Sequence, residues 1–288
     1  MRNLLIFTLL SFCLFPACKS KPRVPTAPAV PKVLAPRRDV KQLPFPLSEK
    51  LTYDLRFTRV PLSISAGTIV FQSVGISAQP AVDKLEFKPQ PEDRLLHLRA
   101  IITAKGLLLK IFGLSVNDRF ETLVDAHDFR MRAVLREIEE GKKHNLQTGL
   151  FDYEKNEANY RTVDLNAPQN PAREKLVKLE PDMQDLLSAF YLLRLQEITE
   201  GMRYKFPLVY EGERREFDLL IHGREEVETD LGKFKTIKLE LKLFGPGRLS
   251  LREGEFFMWV TDDASHMPVK LVAKASGATI IASLNKIE

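Results

Sequence analysis

Thr261-Asp262-Asp263, followed by His266, carries the residue types of general acid–base catalysis: two carboxylates near an imidazole can take up and return a proton. The same residues also build turns, because Asp and Ser side chains hydrogen-bond nearby backbone and Pro268 sets the edge of the next strand. A turn is the expected role, with a hydrolase using Asp262, Asp263 and His266 as the alternative. The histidines are His97, His127, His144, His222 and His266, and no two are about three to five residues apart, the spacing that suits a shared metal. No G-x-S-x-G elbow, H-E-x-x-H helix or phosphate-cradling glycine loop occurs. The expectation is therefore a protein that is not an enzyme, with no catalytic residues, cofactor or metal site. Glu137, Glu139 and Glu140 read as a solvated strand face.

The thiols call for a different chemistry. Cys13 and Cys18 are the two cysteines, and they lie in a stretch made of Arg2, an apolar run from Leu4 to Phe15, and Pro16-Ala17 directly before Cys18. That order is the one a bacterial secretory signal has. The cysteine after a small residue resembles the lipobox of bacterial lipoproteins, with Phe15 where the pattern prefers Leu. The resemblance implies removal of residues 1–17 as a signal peptide and acylation of Cys18 by a diacylglycerol and an amide-linked chain. The mature domain then has no thiol, so disulfide and thiolate-metal chemistry are excluded. The apolar run has 12 residues, short of the roughly 20 of a membrane-spanning helix. Anchorage is expected through lipid, and several acyl chains make release slow. Lys19 rather than Asp follows Cys18, which by resemblance to the enterobacterial sorting rule allows export to the outer membrane, where the domain is expected to face the periplasm, with exposure at the cell surface as the alternative.

Residues 18–45 read as a lipidated cysteine and an extended linker, with Pro22, Pro25, Pro28, Pro31, Pro36 and Pro44 and no apolar periodicity. At about 3.1 Å per residue the linker could reach roughly 80 Å. Lys19, Lys21, Arg23, Lys32, Arg37, Arg38 and Lys41 face one acid, Asp39. With Arg2 also set aside, residues 46–288 hold 35 Lys and Arg against 37 Asp and Glu, a net −2 from a whole-chain +5. The basic excess belongs to the tether, so a nucleic-acid partner is not expected. The tether itself reads as a solvated spacer or as a patch held to anionic lipid or cell-wall polymer.

Residues 46–288 read as a single, mainly β domain. Alternation of period two places Leu51, Tyr53, Leu55 and Phe57 on one face, and does the same for Ile237, Leu239, Leu241 and Leu243. Met202, Tyr204, Phe206, Leu208 and Tyr210 make a third row, and Phe217, Leu219 and Ile221 a fourth. Short turn signals at Glu211-Gly212, Asp230-Leu231-Gly232, Gly245-Pro246-Gly247 and Ser276-Gly277 favour antiparallel hairpins. About ten to twelve strands are expected, enough to curl the sheet into an open half-barrel. One helix is expected after Asp182, its cap, and before Gly201, its stop. Its stripe of Met183, Leu186, Leu187, Phe190 and Tyr191 should pack on the concave face. Two stretches lack a wet face: Gly106–Leu114 and Phe256–Val260. They read either as buried packing or, through Leu107, Leu108, Phe112, Phe256 and Met258, as the lining of a site for a lipid-like ligand.

Several segments, in order, resemble the bacterial exported family catalogued as domain of unknown function 3108. They are FPLSEKLTYDLRF, SAGTIVF, NDRFETLVDAHDFRMRAVLREIEEG, DMQDLLSAFYLLR, GMRYKFPLVYEGERREFDLLIHGREEVETDLGKFKTIKLE and FFMWVTDDASHMPVKLVAKASGATIIASL. The resemblance implies a periplasmic antiparallel half-barrel, like those of lipoproteins of capsule or envelope-polysaccharide export, and no established activity. The expected role is a non-catalytic envelope lipoprotein, attached to the membrane through its lipid anchor, that binds a lipid, a polysaccharide or an envelope protein. The alternative is a structural subunit of an export complex whose barrel is filled by the helix and Phe256–Trp259.

Overall fold

The computed structural model describes residues 32–33, 43–104, 115–244, 255–275 and 277–288. The first half of the chain supplies β1 (Lys32–Val33), β2 (Lys50–Arg59), β3 (Leu62–Ser77), β4 (Leu95–Ala104), β5 (Asn117–Asp125), β6 (Met131–Glu140), β7 (Lys143–Asp152), β8 (Glu157–Asp164) and β9 (Arg173–Lys178). Then come α1 (Leu186–Arg194) and a second run, β10 (Arg203–Tyr210), β11 (Glu213–Thr229), β12 (Gly232–Phe244), β13 (Glu255–Thr261), β14 (Pro268–Ala275) and β15 (Ala278–Ile287). All belong to one sheet in the order β1-β10-β11-β12-β13-β14-β15-β2-β3-β4-β5-β6-β7-β8-β9. Every pair is antiparallel except β1 with β10, which is parallel.

Two meanders, β2–β9 and β10–β15, are thus spliced where the C-terminal strand lies beside β2. Reciprocal bonds between Lys50 and Glu288, each 2.9 Å, clamp that splice. The fifteen strands exceed the expected ten to twelve. A twisted sheet of this width curls, but it does not close. Its ends are β9 and β10 with β1, the two strands that α1 separates in the chain.

Alternation places the core as expected. Leu51, Tyr53, Leu55 and Phe57 are buried, as are Tyr204, Phe206, Leu208, Phe217, Leu219, Ile221, Ile237, Leu239 and Leu241. α1 lies on this inner face and touches β4, β5 and β10. Its start differs from the expected one. Asp185, not Asp182, is the N-cap, and the capping box closes with Ser188: the Ser188 N–H donates to Asp185 (2.6 Å) and the Asp185 N–H to Ser188 Oγ (3.0 Å). Asp182 sits one turn earlier at φ +60°. The helix ends at Arg194 rather than at Gly201, whose N–H is already bonded to Ile221 ahead of β10.

The linker reading also changes at one place, because Lys32–Val33 form β1 on the β10 edge. Phe45 is 4% exposed and meets Tyr191 edge-on at 5.1 Å, so the packed body begins before Pro46.

Candidate functional site

The concave face is where a ligand of an open half-barrel would lie, and aromatic side chains occupy it. Phe71 of β3 stacks on Phe190 of α1 at 4.3 Å, with Tyr53 edge-on to Phe71 at 5.7 Å. Phe190 meets Tyr191 at 5.5 Å, and Tyr191 meets Phe45. Each such contact adds about 0.5–1.5 kcal/mol beyond its burial. Met258 is 3% exposed within this core, and Phe256, half-buried, shares its side of β13. Phe257 and Trp259 alternate to the outer side, where Lys238 and Lys270 lie over the indole ring, each 5.4 Å from its centroid. Leu107, Leu108, Phe112 and Cys18 lie outside the described residues.

Where the two ends of the sheet approach each other, a recess of about 20 Å³ is lined by Phe120, Val134, Arg136, Tyr160, Asp185 and Tyr210, among others. That is room for about one water molecule. Arg136 donates to the Tyr210 hydroxyl (2.8 Å) and to Gln147 (3.4 Å), and Glu211 stands 3.6 Å away. Burial pushes the Asp185 carboxyl up, opposed by hydrogen bonds from Thr122 and Ser188. The β10–β11 turn has Glu211 at φ +54° and Gly212 at φ +66°, the two-residue hairpin conformation. A Cβ on Gly212 would lie 3.2 Å from Tyr160, so a glycine lets this tip rest on β8. Lys175 to Glu213, 2.9 Å, is a second stitch across the gap.

The carboxylate–imidazole cluster proves to be a braced turn. Asp263 accepts from Thr261 Oγ1 (2.9 Å), the Ser265 N–H (2.9 Å) and Ser265 Oγ (2.6 Å). Burial works against its charge, but those bonds hold its carboxyl below the ordinary range. Asp262 instead pairs with Arg224 at 2.7 Å. Burial pushes His266 down, which favours the neutral imidazole, and its Nδ1 has no hydrogen-bond partner. Neither carboxylate is hydrogen-bonded to that ring among the described residues.

Three charged groupings were not visible in the sequence. Arg194, fully buried, forks onto Glu49 at 2.5 and 3.0 Å and donates to the Ser265 carbonyl at 3.0 Å, tying the helix end to the segment before β2 and to the β13–β14 turn. On the outer face, buried Glu121 accepts from His97 (2.5 Å) and Arg99 (2.9 Å). Beside it Glu137 takes Lys84 (2.7 Å), His144 (3.1 Å) and Arg119 (3.2 Å). Glu137, Glu139 and Glu140 are half-buried rather than fully solvated, and the strap that supplies Lys84 packs through Val82, Leu85 and Phe87 on Leu95, Leu123 and Ala133. Asp118, fully buried, keeps one oxygen without a partner, and burial followed by the Glu140 charge pushes its carboxyl up to about 7. The signal that could have found Arg136 and Asp118 is a charge within an apolar alternation, Val134-x-Arg136-x-Ile138 and Val116-x-Asp118-x-Phe120. The partners of Glu121 and Arg194 are 24 and 145 residues away, beyond any local pattern.

No described helix is long and apolar enough to cross a membrane. Among the described residues no group of three metal-ligating side chains occurs.

A family model described as a protein of unknown function, DUF3108, matches residues 62–283. No curated protein matches the chain. Among solved structures, a beta-barrel-like protein of the domain of unknown function DUF1849 from Brucella abortus is 10% identical. The match covers 84% of this chain and 97% of that one, with a TM-score of 0.56, and the two share a fold. A candidate lipoprotein from Parabacteroides distasonis is also 10% identical over 85% of this chain and 98% of that one, at a TM-score of 0.35.

Proposed function

Since the chain belongs to the DUF3108 family of proteins of unknown function, we propose that it is a non-catalytic protein of the bacterial envelope, tethered by lipid at Cys18, that works through the outer surface of a filled half-barrel. The observation that carries this reading is the aromatic packing of α1 into the concave face, Phe71 on Phe190 at 4.3 Å. A carrier of small hydrophobic ligands needs a cavity of roughly 300–1,000 Å³, whereas the recess at the sheet ends has about 20 Å³ and the groove beside β7 and β8 about 110 Å³, both formed by described residues. Binding is then left to the outer faces and edges, where an assembly partner or envelope polymer meets a rigid body. The order Arg2, apolar run, Pro16-Ala17-Cys18 supports the tether, and Lys19 supports passage to the outer membrane.

Native mass spectrometry of the full chain, extracted from bacterial membranes in mild detergent and then stripped with solvent, tests both halves of the proposal. The expected species starts at a triacylated Cys18 and releases no further hydrophobic mass. A stoichiometric lipid or lipid-linked glycan freed by the solvent would replace the surface reading with a carrier. A chain without covalent lipid would remove the tether.

A further inference from the structure

The two ends of the sheet are finished differently. On β10, Lys32 and Val33 pair with Tyr204 and Lys205. Gln184 continues that cover, donating to the Pro207 carbonyl (3.1 Å) and accepting from the Val209 N–H (2.8 Å). β9 is paired along one side only, from Thr162 opposite Arg173 to Glu157 opposite Lys178. Among the described residues no backbone hydrogen bond reaches its other side. An uncovered edge is a template for another strand.

The side chains of β9 say which strand it suits. Val177 is buried, and Lys175 reaches Glu213 across the gap between the sheet ends. Glu174, Leu176 and Lys178 alternate to the outer face and are exposed, Leu176 by 63%. Leu176 continues a row through Asn159 to Leu150, itself 38% exposed, beside a groove of about 110 Å³ lined by Leu146, Leu150 and Val163 and by Lys84, Arg161 and Glu174, among others.

We propose that β9 pairs antiparallel with β9 of a second copy of this chain, about a twofold axis through Leu176. A twofold perpendicular to the sheet keeps outward residues outward, so facing residues must share the same alternation. Centred on Leu176, the pairing sets Leu176 against its counterpart and Glu174 against Lys178 twice, two opposite-charge pairs around an apolar centre. Centring on Glu174 or Lys178 would set like charges face to face, and centring on Lys175 would do the same. The rows from Leu150 to Leu176 of both copies then run on as one outer strip. This inference stands independently of the lipid and of the filled interior.

The test uses the full chain in detergent. Leu176→Cys, treated with a mild oxidant, should give a covalent dimer above the wild-type baseline, which accounts for the native cysteines. Glu174→Lys and Lys178→Glu should each weaken association about tenfold in sedimentation velocity, since each opposes like charges at both pairs. The double exchange should restore it. Because these side chains are solvent-facing, folding is not at stake, and the rescue separates register from any general charge effect. A monomer at all concentrations, a Leu176→Cys variant that does not cross-link above that baseline, or a double exchange no better than the singles would overturn the proposal.

Discussion

Among the described residues Glu49 is the one carboxylate paired with Arg194 in the buried core, which makes the pair fragile to one-sided change. Removing one member of a buried ion pair strands the other, at about 3–5 kcal/mol, whereas replacing both is much milder. Arg194→Met should therefore lower stability by that amount in urea titrations, and Glu49→Gln together with Arg194→Met should recover most of it. Asp118 makes a prediction in pH. Its folded-state value of about 7 lies above the ordinary carboxyl value of 3.8, so the folded protein holds its proton more tightly than the unfolded one. The stability it contributes is complete below about pH 4 and is lost as pH rises through about 7, with a slope of at most about 1.4 kcal/mol per pH unit. Asp118→Asn should flatten that descent, and a difference between variant and wild type that stays constant from pH 4 to 8 would refute it. Neither residue could be read ahead. A charge in an apolar alternation can be seen, but whether it finds a counter-ion depends on chain segments far away.

At the level of elements, α1 depends on its first residue. Asp185 caps the helix and also accepts from Thr122 of β5 at 2.6 Å, so it fixes both where the helix starts and which strands it lies on. Asp185→Ala should cost about 1–2 kcal/mol, measured by thermal or urea unfolding. Asp182→Asn, which keeps a side chain tolerant of φ +60°, should cost under about 0.5 kcal/mol. Equal losses at the two positions would return the cap to Asp182. The apolar stripe of this helix was legible because it repeats within one element, but both aspartates satisfy the local capping rule and only Thr122 and Ser188 separate them. Strands with strong contrast, such as β2, β11 and β12, were legible for the same reason. β7 is half-buried over its first six residues, so its alternation is faint and the sequence pattern undercounts the strands.

For the whole molecule, sequence order already contained the open sheet. Short turns forced neighbours to pair, and the helix between β9 and β10 interrupts that run at the place where the barrel fails to close. The splice of β15 to β2 was not legible, since nothing local tells the last strand to find the first. The capture of Lys32–Val33 was equally hidden, because the segment has the composition of a spacer. That capture has a mechanical consequence. With the proposed lipid at Cys18, the free leash ends at Lys32 and shrinks to about 14 residues, roughly 43 Å at full extension rather than about 80 Å. The body would be moored by its β1–β10 end, which faces β9 across the gap that Lys175 and Glu213 bridge. Two molecules moored in this way share a thin layer above one membrane, where confinement raises their local concentration and even a weak edge-to-edge contact would be populated.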